Sequence, residues 1–351
     1  MKNNLRAIIT ALFGIAVFLF WLLGYPEALN YQEQNQLWLT TGDFFLQRMA
    51  VPGGMADYVS EFLVQFYYVP WLGALLIGVV YAAMQWLMWM TVRRWDKTAF
   101  PITFLLPLLM LWHQGDIDTL LSLPVAIVMA LGATVAMSKY GRHGYLLDIV
   151  SVPVFYWAAG PAAVIYVAIR GLQYGWKLFI EDTVLFAISI MAAYWVVDYQ
   201  WPLSMMVGGI NYYRIPLMAP VMQYVVLLSP IAIALATRFN PWKKDDAFNR
   251  TRRYLHLALK VSSLVIVGIC AINKGFDPFV YEILWQDSMV RQERWHDIIK
   301  RAERHQADIS HEQQLRQPCL GHDGAVDRQD VYIQTERYRR TAPANGTRQY
   351  V

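Results

Sequence analysis

Apolar runs of roughly 16 to 22 residues recur through about the first 280 residues of this chain. Each run matches the helix length, about 20 residues, that crosses the hydrocarbon core of a lipid bilayer. Only 16% of the 351 residues are charged, whereas soluble proteins of this length carry about 25%. The sequence therefore predicts an all-α fold, a polytopic bundle of transmembrane helices.

About nine segments are expected to cross the membrane. They are Ala7–Gly24, Trp71–Val92, Phe100–Trp112, Leu120–Ser138, Leu146–Ala159, Pro161–Ile169, Thr183–Val197, Leu217–Thr237 and Leu255–Ala271. Three of them (100–112, 146–159 and 161–169) are shorter than a full crossing, and each contains proline. Proline kinks a helix, and irregular backbone survives in lipid only against protein or a water-filled cavity. These short segments predict an interior site or re-entrant hairpins.

Lysine and arginine are distributed unevenly between the loops of the two sides. Fifteen lie on the side of the N-terminus, whereas the other side carries only Arg48, Arg214 and Lys274 before the tail. Positively charged loops stay in the cytoplasm. We therefore expect the N-terminus inside and everything after Ala271 outside.

The longest external loop spans Tyr25–Pro70 and is dense in aromatic residues. We expect two amphipathic helices on the outer membrane surface, joined by a hinge at Gly53–Gly54. The second helix places its apolar residues on one face, at the spacing i, i+3, i+4, i+7. These are Ala56, Val59, Phe62, Leu63 and Phe66. The acids of the loop, which are expected to be solvated or to cap helices, are Glu27, Glu33, Asp43, Asp57 and Glu61.

Two further external loops carry candidate binding residues. His113, Asp116 and Asp118 lie in one short turn, close to the spacing that a divalent cation uses. We favour a polar turn over a metal site, so no metal site is predicted. Arg214 lies among aromatic residues, where it could bind a phosphate or a sugar ring; the alternative is an anchor at the lipid headgroups. With only two cysteines, the chain shows no metal-ligand spacing.

The C-terminal part changes character. Residues 281–305 show helical periodicity of the kind found in tetratricopeptide-type repeats, although one hairpin alone cannot bury its apolar face. Beyond residue 305 the periodicity disappears. We expect three regions: a transmembrane domain over 1–274, the start of an extracytoplasmic helical-repeat region over 275–305, and a disordered or out-of-frame tail over 306–351. Resequencing the gene tests the out-of-frame reading.

Two stretches carry a family resemblance: "YQEQNQLWLTTGDFFLQRMAVPGGMADYVSEFLVQFYY" at 31–68 and "RWHDIIKRAERHQADIS" at 294–310. They resemble an uncharacterised family of bacterial multi-pass inner-membrane proteins whose longer members continue into an extracytoplasmic helical-repeat region. The resemblance covers residues 1 to about 310 and implies that this chain is truncated or frame-shifted beyond that point. It implies location in the bacterial inner membrane, and it transfers no catalytic residue.

Two functions are compatible with these features, and the sequence does not decide whether the chain is an enzyme. The first is an envelope scaffold that presents the helical-repeat region to protein partners outside the inner membrane. The second resembles the membrane-embedded glycosyltransferases that use lipid-linked sugars, with Glu33 or Asp43 as general base. Only this second function implies a cofactor, a divalent cation. Basic residues form no extended face, so nucleic acid is not an expected partner.

Overall fold

The computed structural model describes residues 2–197, 201–239 and 250–301, and these residues are almost entirely helical. The α-helices are α1 Lys2–Gly24, α2 Pro26–Gln34, α3 Gly42–Met49, α4 Gly54–Val64, α5 Pro70–Val92, α6 Leu105–Gln114, α7 Ser122–Met137, α8 Tyr145–Ala159, α9 Ala163–Tyr174, α10 Trp176–Val196, α11 Leu203–Gly208, α12 Val221–Arg238, α13 Arg250–Gly275 and α14 Pro278–Arg291. Residues 295–301 are also helical. The described residues contain no β-strand, only an isolated antiparallel bridge between Thr119 and Tyr213.

Seven stretches within the described residues are long and apolar enough to cross a membrane. They are Asn4–Gly24, Pro70–Val92, Ser122–Gly141, Leu147–Tyr174, Trp176–Val196, Val221–Arg238 and Leu257–Gly275. The all-helical prediction is confirmed, and all nine predicted segments are largely helical. The count differs because α6 has only 10 residues and because two predicted segments fall within the single stretch 147–174. The number of crossings and their sidedness remain predictions.

The stretch 147–174 is a hairpin rather than one straight helix. Gly160 adopts a φ of +62°, a left-handed conformation that glycine tolerates best, and the chain reverses there. Contacts between α8 and α9 are antiparallel, since Asp148 meets Arg170 and Phe155 meets Tyr166 with ring centroids 5.0 Å apart. A hairpin fits the short, proline-containing segments of the sequence, and whether it is re-entrant remains a prediction.

The ends of the helices form two groups. Arg6 donates a hydrogen bond to the Lys97 carbonyl at 3.0 Å, and Arg94 lies over the Tyr174 ring at 5.6 Å. We call this group the basic end. At the opposite end of the antiparallel pair α1 and α5, the chain forms the connections 25–69 and 115–121; we call it the loop end. Arg6, Arg94 and Lys97, three of the basic residues that the sequence assigned to one side, thus lie at one end.

The core lies around α5, which packs against α1 and α7. Helices α1 and α5 approach closely where two glycines face each other, since a Cβ on Gly78 would lie 2.6 Å from the Gly14 carbonyl oxygen. A buried hydrogen-bond chain crosses the same region: Thr10 contacts Gln85 at 2.6 Å, and Gln85 donates to Thr103 at 2.8 Å. The buried side chains of Thr10, Gln85 and Thr103 therefore each have a hydrogen-bond partner, as a low-dielectric interior requires.

The first loop forms three helices, α2 to α4, where the sequence predicted two. The predicted turn at Gly53–Gly54 is present before α4, and Gly53 adopts a φ of +87°. Helix α4 buries Asp57 and Glu61, which the sequence analysis expected to be solvated or to cap helices, and it leaves Phe62 of the predicted apolar face 40% exposed. An apolar exposed face suits contact with lipid, and the buried carboxylates are stabilised by a cation from α3, described below.

By its internal contacts the chain divides into two units, Met1–Ser288 and Met289–Val351. In the second unit the structure describes only the end of α14, a turn in which Glu293 has a φ of +57°, and the helical residues 295–301. Trp295 and Ile299 are exposed. The tetratricopeptide-type repeat and the three-region division remain predictions, and residues 302–351, with the expected out-of-frame tail, lie outside the described residues.

Candidate functional site at the loop end

The turn after α6 is held by a second chain segment. Its backbone pairs with residues 211–214: the Arg214 amide donates to the Asp118 carbonyl at 2.9 Å, and the Leu120 amide donates to the Tyr212 carbonyl at 3.4 Å. The Ser122 hydroxyl also donates to the Asn211 carbonyl. The two connections, about 90 residues apart in sequence, therefore form one structural unit.

Three of the four predicted binding residues meet in this unit. Arg214 contacts Asp118 at 3.2 Å and donates to the Tyr31 hydroxyl of α2 at 3.0 Å. Asp116 accepts a hydrogen bond from the Tyr213 hydroxyl at 2.8 Å. The hydrogen bond to Tyr31, followed by the interaction with Asp118, raises the pKa of Arg214. The guanidinium is half exposed, so it remains accessible while it joins three connections of the loop end.

His113 does not join this cluster. It is 2% exposed, and neither ring nitrogen has a hydrogen-bond partner among the described residues. Asp116 and Asp118 instead direct their carboxylates to Tyr213 and Arg214. Within residues 2–197, 201–239 and 250–301, no group of three His, Cys, Asp or Glu side chains is arranged to hold a metal ion. The turn therefore acts as a polar connection in this structure.

The two predicted general bases are not brought together by any contact in the described residues. Glu33 is half-buried near the end of α2, and Asp43 is exposed in the first turn of α3. Asp43 follows a helix cap, since the Thr41 side chain accepts a hydrogen bond from the Phe44 amide at 3.3 Å. A carboxylate there interacts favourably with the helix N-terminus, so Asp43 has a structural role.

A different pair of acids in the same loop is buried. Asp57 and Glu61 lie one turn apart on α4, 5% and 6% exposed. Arg48 donates to both Glu61 carboxylate oxygens, at 2.9 and 2.5 Å, and lies 3.6 Å from Asp57. Burial, followed by repulsion from Glu61, raises the pKa of Asp57 to about 7, although Arg48 opposes the change. Burial also raises the pKa of Glu61.

The sequence analysis counted Asp57 and Glu61 among solvated acids and therefore missed this pair. Their i, i+4 spacing places both on one face of α4, but it does not say which face packs inward. Arg48, 13 residues before Glu61, was assigned only to the external side. The signal that was available is the combination of two acids on one helical face with the single basic residue of the loop.

Aromatic side chains join the start of the C-terminal region to the loop end. Tyr25 stacks on Phe276 with ring centroids 4.7 Å apart and meets Tyr281 at 4.6 Å. Trp21 lies 5.8 Å from Phe276, and the Tyr281 hydroxyl donates to the Gly115 carbonyl at 2.9 Å. We call Trp21, Tyr25, Phe276 and Tyr281 the aromatic anchor. It fixes the chain immediately after α13 against α1 and the turn after α6.

Two glycines permit the ends of α6 and α13 to approach each other closely. A Cβ on Gly275 would lie 2.7 Å from the Trp112 carbonyl oxygen, and a Cβ on Gly115 would lie 2.4 Å from the Gly275 backbone. Real Cβ atoms essentially never approach that closely. The ends of α6 and α13 therefore meet through backbone contact at the loop end, directly beside the aromatic anchor.

The fold and this loop-end site define a class, an all-helical protein whose described residues contain seven stretches long and apolar enough to cross a bilayer, which suggest a membrane protein. The chain belongs to the family of unknown function DUF6057, which matches residues 2–318. Searches of curated proteins and of solved structures each found no match. The predicted membership of a family without an assigned activity is thus confirmed; the bacterial origin and the truncation remain predictions.

Proposed function

We propose that this chain is a scaffold of the bacterial inner membrane that holds its C-terminal helical region outside the membrane for protein partners. The observation that supports the proposal is the aromatic anchor. A region that only trailed from the last span would need no such attachment, whereas stacked rings and a buried hydrogen bond fix its first residues. Burial raises the pKa of Tyr281, so its hydroxyl keeps the proton that it donates to Gly115.

The proposed sidedness rests on the arginine and lysine distribution. Arg6, Arg94 and Lys97 lie at the basic end, and positively charged loops are retained in the cytoplasm. The loop end, with the aromatic anchor, then faces the envelope. On this proposal the N-terminus is cytoplasmic and the chain after Gly275 is extracytoplasmic.

Co-purification from detergent tests the scaffold. Proteins captured with the tagged full chain are compared with those captured by the double variant Phe276→Ala and Tyr281→Ala. The matched control is Phe279→Ala on α14, the helix that also carries Tyr281; the Phe279 ring is 66% exposed. We expect the anchor variant to lose partners that the control retains. A deletion after Gly275 that leaves the partner set unchanged contradicts the scaffold function.

A second function, a glycosyltransferase-like enzyme, is favoured by the buried acids of α4. A carboxyl group with a pKa near 7 can both accept and donate a proton at neutral pH, as a general acid or base must. Asp57 fits this requirement, and it lies in the first external loop, where the sequence analysis placed the site. Substrate binding beneath the loop is part of this proposal.

The envelope glycans of cells that lack the gene test the glycosyltransferase-like function. Complementation with Asp57→Asn is compared with Asp43→Ala and Glu33→Ala, each at the same level of membrane protein. If Asp57 is the general base, only the first variant fails to restore the wild-type glycan pattern. Unchanged glycans in the knockout itself, or full restoration by all three variants, remove the enzymatic function.

A further inference from the structure

A network of charged side chains lies buried between α8, α9 and α10 near the basic end. Arg170 is 0% exposed and Asp148 is 1% exposed. The guanidinium donates to one carboxylate oxygen of Asp148, and the Tyr166 hydroxyl donates to the other. The sixth predicted segment ended at Ile169, which left Arg170 in the loop after it, but Arg170 lies inside α9. Ionisable groups within membrane segments are costly and commonly mark functional sites.

A second carboxylate enters this network from α10. Asp182 is 1% exposed, and neither of its carboxylate oxygens has a hydrogen-bond partner among the described residues. The Arg170 Nε is also without a partner there. Asp182 interacts electrostatically with both Asp148 and Arg170. It lies six residues into its helix, which places it about 9 Å from the helix start.

The charges of the network do not balance. Helix α10 packs against α8, α9 and α11, and α11 carries no titratable side chain. The groups of α8 and α9 in the network are Asp148, Tyr166, Arg170 and Tyr174, the last with its ring 4.8 Å from the guanidinium. On α10 itself, Lys177 and Glu181 are exposed. Among the residues whose side chains the structure describes, two buried carboxylates therefore share one guanidinium.

An uncompensated buried charge is unfavourable, and such a group neutralises by binding a proton. Asp148 has Arg170 and Tyr166 as hydrogen-bond partners, whereas Asp182 has none among the described residues. The proton is therefore expected at Asp182. A cation other than a proton would need several oxygen ligands, and the described residues provide no group of three acidic or histidine ligands.

We propose that Asp182 is a proton-binding site within the membrane domain, with Arg170 as the cation for which its carboxylate competes against Asp148. The proton is taken from water at the basic end and forms an O–H bond with one carboxylate oxygen. When Asp182 releases the proton, its new negative charge attracts the free Nε–H of Arg170. The site goes beyond the scaffold function and does not depend on it.

Infrared difference spectroscopy of the full chain in lipid vesicles tests the site. The C=O stretch of a protonated carboxylic acid is compared between the wild-type protein, Asp182→Asn and the control Glu181→Gln, whose side chain is exposed. We expect the wild-type spectrum to lose the band of one carboxylic acid in Asp182→Asn and to keep it in Glu181→Gln. Asp57 contributes a separate band that is unchanged in both variants.

Asp148→Asn provides a second, independent test. Removing the Asp148 carboxylate leaves Asp182 as the one carboxylate beside the Arg170 guanidinium among the described residues. Asp182 is then expected to ionise and pair with Arg170, so the C=O band of its protonated acid disappears. A band that persists in Asp182→Asn, or that persists unchanged in Asp148→Asn, overturns the proposal. The Asp148→Asn spectrum decides the matter even if Asp182→Asn does not fold.

Discussion

At the scale of single residues, the described structure concentrates its electrostatic energy in buried acids rather than in surface ion pairs. Asp57 and Asp148 are each paired with a buried or half-buried arginine, whereas exposed pairs contribute little to stability. Truncating one partner of a buried pair is strongly destabilising because it leaves a charge without compensation.

Asp57 makes the stability of the folded protein depend on pH. Its folded pKa of about 7 lies above the ordinary 3.8, so between these values the folded state holds a proton that the unfolded state has lost. Stability therefore falls as the pH rises from about 4 to 7, by at most about 4 kcal/mol. Thermal unfolding in detergent should show this slope, reduced in Asp57→Asn and retained in the exposed-site control Asp43→Asn. An equal slope in both variants contradicts the assignment.

Arg170 compensates the charge of Asp148, so its removal should destabilise the folded protein. We expect Arg170→Met to cost roughly 3 kcal/mol, measured by unfolding in detergent, whereas the exposed control Arg93→Met stays within about 0.5 kcal/mol. Adding Asp148→Asn should recover part of the loss, because it removes the unpaired carboxylate. If Arg170→Met and Arg93→Met are equally stable, the buried pair has no structural role.

At the scale of elements, the hairpin of α8 and α9 links the two ends of the first unit. Its base carries the Asp148–Arg170 pair, and its tip contacts the first external loop. There the Gly53 amide donates to the Trp157 carbonyl at 2.8 Å, and the Ala162 amide donates to the Tyr212 hydroxyl at 3.0 Å. The hairpin thus packs its polar backbone ends against protein, as irregular backbone in lipid must.

The tip of the hairpin requires glycine at position 160. Its φ is +62°, and an added Cβ would lie 3.1 Å from the Tyr212 hydroxyl and 3.3 Å from the Gly53 Cα. We expect Gly160→Ala to lower the free energy of unfolding by about 1 to 2 kcal/mol. In Gly132→Ala, within α7, an added Cβ meets nothing within 4 Å, and the change should be neutral or stabilising by up to about 1 kcal/mol. Thermal shifts in detergent compare the two, and a loss of equal size in both contradicts the strain argument.

At the scale of the whole molecule, the helix ends sort into a basic end and a loop end. This grouping follows from antiparallel neighbours, and the excess of lysine and arginine at one end predicts which side of the membrane it faces. The Asp148–Arg170–Asp182 network lies near the basic end, whereas the aromatic anchor and the α4 acids lie in or beside the loop end. The side of the membrane on which each proposed site lies therefore depends on a single orientation of the whole chain.

Reporter fusions test that orientation. An enzyme that is active only outside the cytoplasm is fused after Gly275 and, separately, after Gly175, where α9 ends. We expect activity from the first fusion and none from the second, at comparable membrane levels. The reverse pattern would place the basic end outside and would remove the scaffold function as proposed.

The sequence predicted the three residues of the loop-end cluster but not their partners. Asp116 and Asp118 were predicted from their spacing in one short turn and Arg214 from its aromatic neighbours, which are properties of local sequence. Their pairing with Tyr213 and Tyr31 depends on which loops become neighbours. Similarly, Phe276 and Tyr281 looked like the start of a soluble helix, and only the approach of α13 to α6 showed that they join the membrane domain.

The sequence by itself determined the helical class and the extent of most apolar helices, because the length and the repeat of an apolar helix are recorded in local sequence. The tertiary structure decided which polar side chains are buried. Asp148 and Arg170 lie 22 residues apart and meet only because the chain reverses at Gly160. Asp57 and Glu61 are buried because the face of α4 that carries them packs inward together with Ala56 and Val64, where Arg48 of α3 compensates their charge.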